Sequence, residues 1–509
     1  YVRTFARKHH LDVLAAYEIE SYQTDHASGE KSKLPSDKLT EPDNAAVLNS
    51  FKSATQAYRM ISYLSRLNYD YDDRYYIAGS YRRDGSSRLS PNNRWGNFWS
   101  VSGMWHLGNE NFMKAVKPVL SDVKIRASYG VNGNQPGSYY GYKGLYSYGE
   151  NYMEAAGSYE SAQPNDLLTW EKNYSLNLGI DLSFINRIFA SLEYYNRDTK
   201  DLLYSLPISA TTGFTSYLSN IGRLNNKGVE FELRTLNVVS NDFNWTSVFN
   251  LSHNRNKIVS LNGLLDQTIE GTWFIHKVGL PYHTFYVKEF AGVDPLTGSA
   301  QYYLNTKNED GSYNRELTTD AAKAESIPYK TATPKVSGGF TNILNYKWID
   351  LTFTLTYSLG GYSFDKLGTY IENGSSSIYS SRYNLPAYMM NRWQKPGDEV
   401  YTNIPGLPTW PIEIGWTLPN TDSAESAIEM WEKSDAMVVS GSFLRCRNIG
   451  LSWQMKKEWC DKIHAKNLAI NFNMDNIFVI ASKRFNGFDP ELENSIMPRS
   501  FSLGLNIGF

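Results

Sequence analysis

The segment GSYYGYKGLYSYGENYM (137–153) concentrates side chains able to do chemistry, with Tyr139, Tyr140, Tyr142, Tyr146, Tyr148 and Tyr152 in one run. Aromatic faces stack on sugar rings and phenol hydroxyls bond sugar hydroxyls, and the same groups suit a peptide backbone. The alternative use of such a run is packing against neighbouring loops or a lid. The segment 361–440 presents the same choice with Tyr370, Tyr379, Tyr383, Tyr388, Trp393, Trp410 and Trp416, and its length favours contact with a partner. The candidate ligand- or lid-contacting residues are therefore Tyr139, Tyr140, Tyr142, Tyr146, Trp393 and Trp410.

Other clusters carry weaker signals. NYDYDDRYY (68–76) offers Asp70, Asp72 and Asp73, but calcium loops follow a tighter spacing of oxygen ligands, and solvated charge at a turn is the reading adopted. RRDGSSRL (82–89) sets Arg82, Arg83 and Arg88 beside Asp84, either as a contact surface or as a surface ion network. NIGRLNNKGVEFEL (220–233) reads as a loop entering a strand, with Asn and Gly serving the backbone. The serines of GSS (85–87) and GSSS (374–377) lack the GxSxG elbow, and no CxxC or HExxH spacing occurs. No nucleophile stands beside a base, so no enzyme, resident metal or cofactor is expected. Cys446 and Cys460 read as two unpaired thiols.

The elements that must position these residues are strands. The 509 residues include 37 Tyr, 13 Trp and 23 Phe, more aromatic rings than a water-soluble core requires. Tyr and Trp collect where a surface passes from lipid to water. A net charge of −2 leaves no field for nucleic acid. No run reaches the ~18 apolar residues of a membrane helix, but a membrane barrel shows lipid only alternate residues.

That alternation is present. VKIRASYGV (123–131), YSLNLGIDLSF (174–184) and IDLTFTLTYSLG (349–360) each place apolar side chains on every second position. FWSVSGMWHL (98–107) does the same with Trp99, Val101, Trp105 and Leu107. Runs of about ten residues match a tilted strand crossing a bilayer. Tight turns at 184–187, 237–243 and 345–348 alternate with long segments at roughly 133–168, 201–225, 259–335, 361–440 and 477–498. Short turns on one rim and long loops on the other is the outer-membrane barrel pattern. Taking the short turns as periplasmic, the strand count brings Phe509 to the periplasmic rim. The expected fold class is all-β: a transmembrane antiparallel β-barrel with about 14–16 strands in this chain. A sheet of that size cannot leave open edges in lipid, and the chain starts with strand already under way. It is expected to be a C-terminal portion of a larger barrel.

The quoted runs resemble the SusC/RagA family of TonB-dependent outer-membrane transporters of Bacteroidota. YYIAGSYRRDGSSRLSPNNRWGNFWSVSGMWHL, VKIRASYGVNGNQPG, LTWEKNYSLNLGIDLSF, LEYYNRDTKDLLYSLPI, SFLRCRNIGLSW, LAINFNMDNIFVI, FDPEL and RSFSLGLNIGF occur in the family's order across the whole chain. The resemblance implies a barrel of ~22 strands, an N-terminal plug and TonB box that this sequence lacks, a SusD-like surface lipoprotein as lid, energising by the TonB complex, and import of an oligosaccharide or peptide. Outer-membrane lipid is then the surrounding medium. The rivals are a passive porin or adhesin barrel, and a soluble β-rich glycan-binding or hydrolytic protein.

Overall fold

The computed structural model describes residues 1–148, 150, 152–153, 155–261, 267–270, 273–364, 387–406, 434–485, 488–492 and 495–509. Among them, fifteen strands pair in chain order into a large antiparallel sheet. They are β1 (Val2–Phe5), β2 (His9–Ser32), β3 (Val47–Tyr71), β4 (Tyr75–Ser86), β5 (Trp95–Trp105), β6 (Leu120–Asn134), β7 (Glu171–Phe184) and β8 (Ile188–Lys200). There follow β9 (Arg223–Val239), β10 (Phe243–Ser260), β11 (Val336–Tyr346), β12 (Ile349–Leu359), β13 (Phe443–Gln454), β14 (Asn467–Ala481) and β15 (Ser500–Gly508). Connections alternate in length as the sequence suggested. Residues 6–8, 72–74, 185–187, 240–242 and 347–348 are tight, while 135–170, 201–222, 261–335 and 360–442 are long. The turn 185–187 shows why tightness is possible: Ile185 and Asn186 adopt φ of 47° and 52°, the left-handed pair of a two-strand hairpin.

By compactness the chain divides into two units, one of Tyr1–Lys117, Asp122–Ile180 and Tyr195–Asn225, the other of Pro118–Ser121, Asp181–Tyr194 and Asn226–Phe509. In the first unit, β2 and β3 pair from His9↔Tyr71 to Ser32↔Val47, with one register shift between Glu30 and Lys31, whereas β4 joins β3 only as far as Met60↔Ser86. The β2–β3 ribbon thus outruns its neighbour by about a dozen residues. The surface of these strands inverts the rule for soluble proteins. Tyr17, Ile19, Tyr63, Leu67, Ile77, Val101, Ile125, Tyr129 and Leu178 are all exposed, Ile19 by 62% and Ile77 by 55%. Within β2 to β6 these residues share one parity, while Ser62 and Asp84, of the other parity, are 1% and 7% exposed. Apolar side chains outward and polar ones inward is stable only where the outside is hydrocarbon.

In the second unit, the ladder β10–β11–β12–β13–β14–β15 is continuous in register, with a bulge in β13 between Cys446 and Asn448. The expected loop 259–335 is a finding of a different kind. It carries short strands at Phe274–Lys277, Thr284–Lys288, Phe290–Val293, Ala300–Tyr303 and Ser326–Thr331. These enclose a small core of Phe285, Val287, Ala300 and Tyr302, joined by Phe364, Met437 and Val438. Runs of four to six residues hold too few alternations to register as period two, so the sequence reads as loop. The connection between β5 and β6 forms 3-10 turns at Leu107–Asn109 and Asn111–Ala115.

Facing is directly testable. Leu178→Arg and Ile77→Arg should each impair assembly, at about 2–4 kcal/mol near the bilayer midplane, whereas Ser175→Arg should assemble normally. Heat-modifiable mobility on gels reads the folded fraction; equal yields from all three variants would overturn the assignment.

Candidate functional site

The strands of the first unit enclose a cavity. Residues of β1 through β7, of both parities, line its volume of about 460 Å³, in which polar His10, Asp12, Asn68, Asp70, Arg126 and Asn177 stand beside apolar Leu11, Met104 and Ala127. Strand register brings them together, since Asp12 faces Asn68 and His10 faces Asp70 across the β2–β3 ladder. Asn68 Nδ2 donates to Asp12 Oδ2 at 3.0 Å and Asn177 Nδ2 to Ser128 Oγ at 3.3 Å. Further along, Arg82 donates to Asp84 at 2.7 Å, Ser62 at 2.9 Å and Glu18 at 3.1 Å. Such a wall offers hydrogen bonds to a hydrated solute and no reacting pair.

Of the acidic cluster, Asp72 meets Lys8 at 3.6 Å and Arg74 at 3.5 Å, an ion network at a turn. Asp70 and Asp73 instead approach His10, and one ligand atom of each lies within 4.8 Å of the others. Three groups fall short of the six to eight oxygen ligands calcium takes.

The tyrosine segment is only partly free. Tyr139 stacks towards Tyr22 at 6.3 Å and Tyr58 at 5.7 Å between ring centroids. The Arg88 guanidinium lies over both Tyr58, at 4.1 Å, and Tyr139, at 4.5 Å, and its Nη1 donates to Pro136 O at 3.0 Å. Tyr140 Oη accepts from Ala57 N at 3.1 Å, and Tyr142 packs on the buried cluster of Leu89, Phe98, Leu168 and Trp170. These three rings pin the segment to the β2–β3 ribbon and to the base of its own connection. Tyr146 is different. It sits on a hairpin, Leu145–Tyr148 against Ser158–Ala162, and is 60% exposed, with Tyr148 and Tyr159 exposed beside it.

In the second unit, the half-buried Trp393 ring covers Gly298, whose φ of +73° and close approach leave no room for a Cβ, and its Nε1 donates to Glu399 at 3.2 Å. That is a packing role. Trp410, Trp416, Tyr370, Tyr379 and Tyr383 lie outside the described residues, as does GSSS (374–377), and the side chain of Tyr388 does too. Nearby, Arg315 donates bidentately to Glu289 at 2.7 and 2.9 Å, holding that carboxyl below the usual glutamate range. Burial pushes the Asp435 carboxyl up, although its Oδ1 accepts from Phe290 N at 2.8 Å.

The site residues that motif reading alone left unconnected are the charges of SFLRCRNIGLSW and FDPEL. Arg445, 2% exposed, holds Asp489 bidentately at 2.6 Å and Glu491 at 2.6 Å, while Arg447 takes Glu491 at 2.8 Å. Two arginines on β13 thereby latch the 482–499 connection. The signal was opposite charge in two segments 44 residues apart, which no periodicity reports.

The comparisons follow this geometry. The model of the TonB dependent receptor-like β-barrel matches residues 16–477. The chain belongs to that family. It is 29% identical to the TonB-dependent receptor SusC of Bacteroides thetaiotaomicron, over 98% of this chain and 48% of SusC. It is 27% identical to a TonB-dependent receptor of Formosa agariphila, over 97% of this chain and 49% of that protein. A solved structure of the RagAB peptide transporter superposes on all of this chain and 54% of its own, with a TM-score of 0.85 and 26% identity. The chain spans about half the length of the relatives it matches. As a TonB-dependent receptor barrel it is an outer-membrane protein, and no described helix is long and apolar enough to cross a membrane.

Two outcomes follow for this receptor barrel. Arg445→Ala should lower unfolding stability by about 3–5 kcal/mol, because it strands buried carboxylate charge, and Arg445→Met with Asp489→Leu should recover part of that loss. Chemical unfolding in detergent measures both; an unchanged single variant would show the latch to be inert. Glu289 has a lowered folded pKa, so its stabilisation is complete above the unfolded value of ~4.3 and fades as pH falls through the folded one. Arg315→Met should flatten that acid limb, read as stability against pH.

Proposed function

We propose that the full protein is an active outer-membrane importer of the SusC type. In this reading it is energised by the TonB complex and works with a SusD-like surface lipoprotein as lid. The reading is supported above all by the inverted strand surface, apolar outward and hydrogen-bonding inward, in a chain matched end to end by SusC and the RagAB transporter. In this reading the chain is the C-terminal part of the barrel, and an N-terminal plug and TonB box belong to the rest of the full protein. The short turns and Phe509 are assigned to the periplasmic rim.

The substrate class is an oligosaccharide or a peptide; the RagAB relative is titled a peptide transporter, and the tyrosine faces suit either class. Tyr146 is the residue we assign to ligand or lid contact, because its ring stands free, whereas Tyr139, Tyr140 and Tyr142 position the segment that carries it.

Uptake of a labelled oligosaccharide or peptide by cells carrying the full protein tests the importer reading. Import should stop when the proton-motive force is collapsed; uptake that persists would instead mark a passive porin. Tyr146→Ala should weaken half-saturation about five-fold, the scale of a modest interface contact, with unfolding unchanged. Tyr139→Ala should hasten proteolysis within 137–153, and parity between the two variants in both assays would remove the distinction.

A further inference from the structure

At the short-turn end of the second unit lies a cluster that substrate passage does not use. The turn 347–348 and the segment 455–466 meet there, with Gln454 N donating to Trp348 O at 2.8 Å. The Trp348 indole attracts two ammoniums: Lys456 Nζ lies 4.4 Å from its centroid and Lys347 Nζ 5.8 Å. Lys347 Nζ is also 5.5 Å from the Tyr346 ring. One aromatic group therefore gathers two like charges into a small space.

Carboxylates meet only one of them. Asp242 pairs with Lys347 at 3.9 Å while itself 69% exposed, and Asp350 is taken by Asn345 and Gln454. Glu458 and Asp461 lie on the helical turn Lys457–Lys462, yet among the described residues no ion pair joins Lys456, Lys457 or Lys462 to a carboxylate. That turn is anchored by Cys460, 1% exposed, which leaves Trp459 and Ile463 exposed at 46% and 48%. Trp459 meets Trp453 edge to face at 6.1 Å. The surface thus combines Lys456, which has no ion pair among the described residues, and Lys347, held only by an exposed carboxylate, with indole and aliphatic groups at the strand ends.

We propose that this cluster binds the phosphodiester headgroup of an anionic phospholipid in the adjoining leaflet. Lys347 and Lys456 take the phosphate, whose charge relieves their mutual repulsion, while Trp459 and Ile463 lie against the glycerol and upper acyl chains. The proposal rests on the outer-membrane reading. A free phosphate supplies the same anion, but leaves Trp459 and Ile463 without a partner.

The test uses the full protein purified in detergent, after confirming that it stays with membranes through a carbonate wash. Native mass spectrometry is run with phosphatidylglycerol, phosphatidylcholine and inorganic phosphate as separate probes. Phosphatidylglycerol should be retained in preference to the other two. Lys347→Gln with Lys456→Gln should weaken that retention about 30-fold, given ~1 kcal/mol for each lysine near an anionic surface. Lys323→Gln, on a lysine ion-paired with Asp320 at 3.4 Å, is the control at a distant lysine and should change nothing. Equal retention of phosphatidylcholine, binding of inorganic phosphate as tight as that of the lipid, or equal loss in the control overturns the proposal. Release of the protein by the carbonate wash is a separate result, which would remove the membrane reading beneath it.

Discussion

Backbone hydrogen bonding in hydrocarbon governs this molecule. A strand in lipid finds no water for its N–H and C=O groups, so every one must be met by a neighbouring strand. Fifteen strands paired in chain order are the consequence, and the tight turns follow, because antiparallel neighbours need only two or three residues to reverse. With the backbone satisfied, side chains divide by parity. In β6, Ile125 and Tyr129 face one way and Lys124, Arg126 and Ser128 the other. The first group meets acyl chains and the second lines a wetted wall.

The chain changes character where this constraint relaxes. Beyond the bilayer the strands need no alternation, and the chain spends its residues on the β2–β3 ribbon, the Tyr146 hairpin and the compact sheets between 267 and 331. Ordering such long connections requires specific contacts in place of a shared core. The Arg88 guanidinium between Tyr58 and Tyr139, the Trp393 ring on Gly298, and the Arg445–Asp489 pair are three such contacts. Each joins segments distant in sequence and fixes the connection it belongs to.

What could be read from the amino-acid order follows the same division. The strands around 123–131, 174–184 and 349–360 were legible because burial on one face imposes period two over ten residues, and the structure has strands within a few residues of those bounds. Their outer ends were not, since β7 begins at Glu171 and β6 runs to Asn134 where no facing constraint applies. The tyrosine segment was recognisable as a surface, but composition cannot separate the ring that packs, Tyr139, from the ring that stands free, Tyr146. The latch on β13 was illegible for a further reason. A bulge at 446–448 shifts the strand's parity, so alternation alone misplaces one of Arg445 and Asn448.

The central claim is that one face of these strands touches hydrocarbon and the other water. Site-directed spin labelling from Val123 to Val131 in the membrane-embedded protein, with oxygen as the lipid-soluble relaxant and a nickel chelate as the aqueous one, measures that most directly. Accessibility should alternate with a period of two, oxygen dominating at Ile125, Ala127 and Tyr129 and nickel at Lys124, Arg126 and Ser128. Equal nickel access on both faces, or oxygen access that does not alternate, would contradict the account.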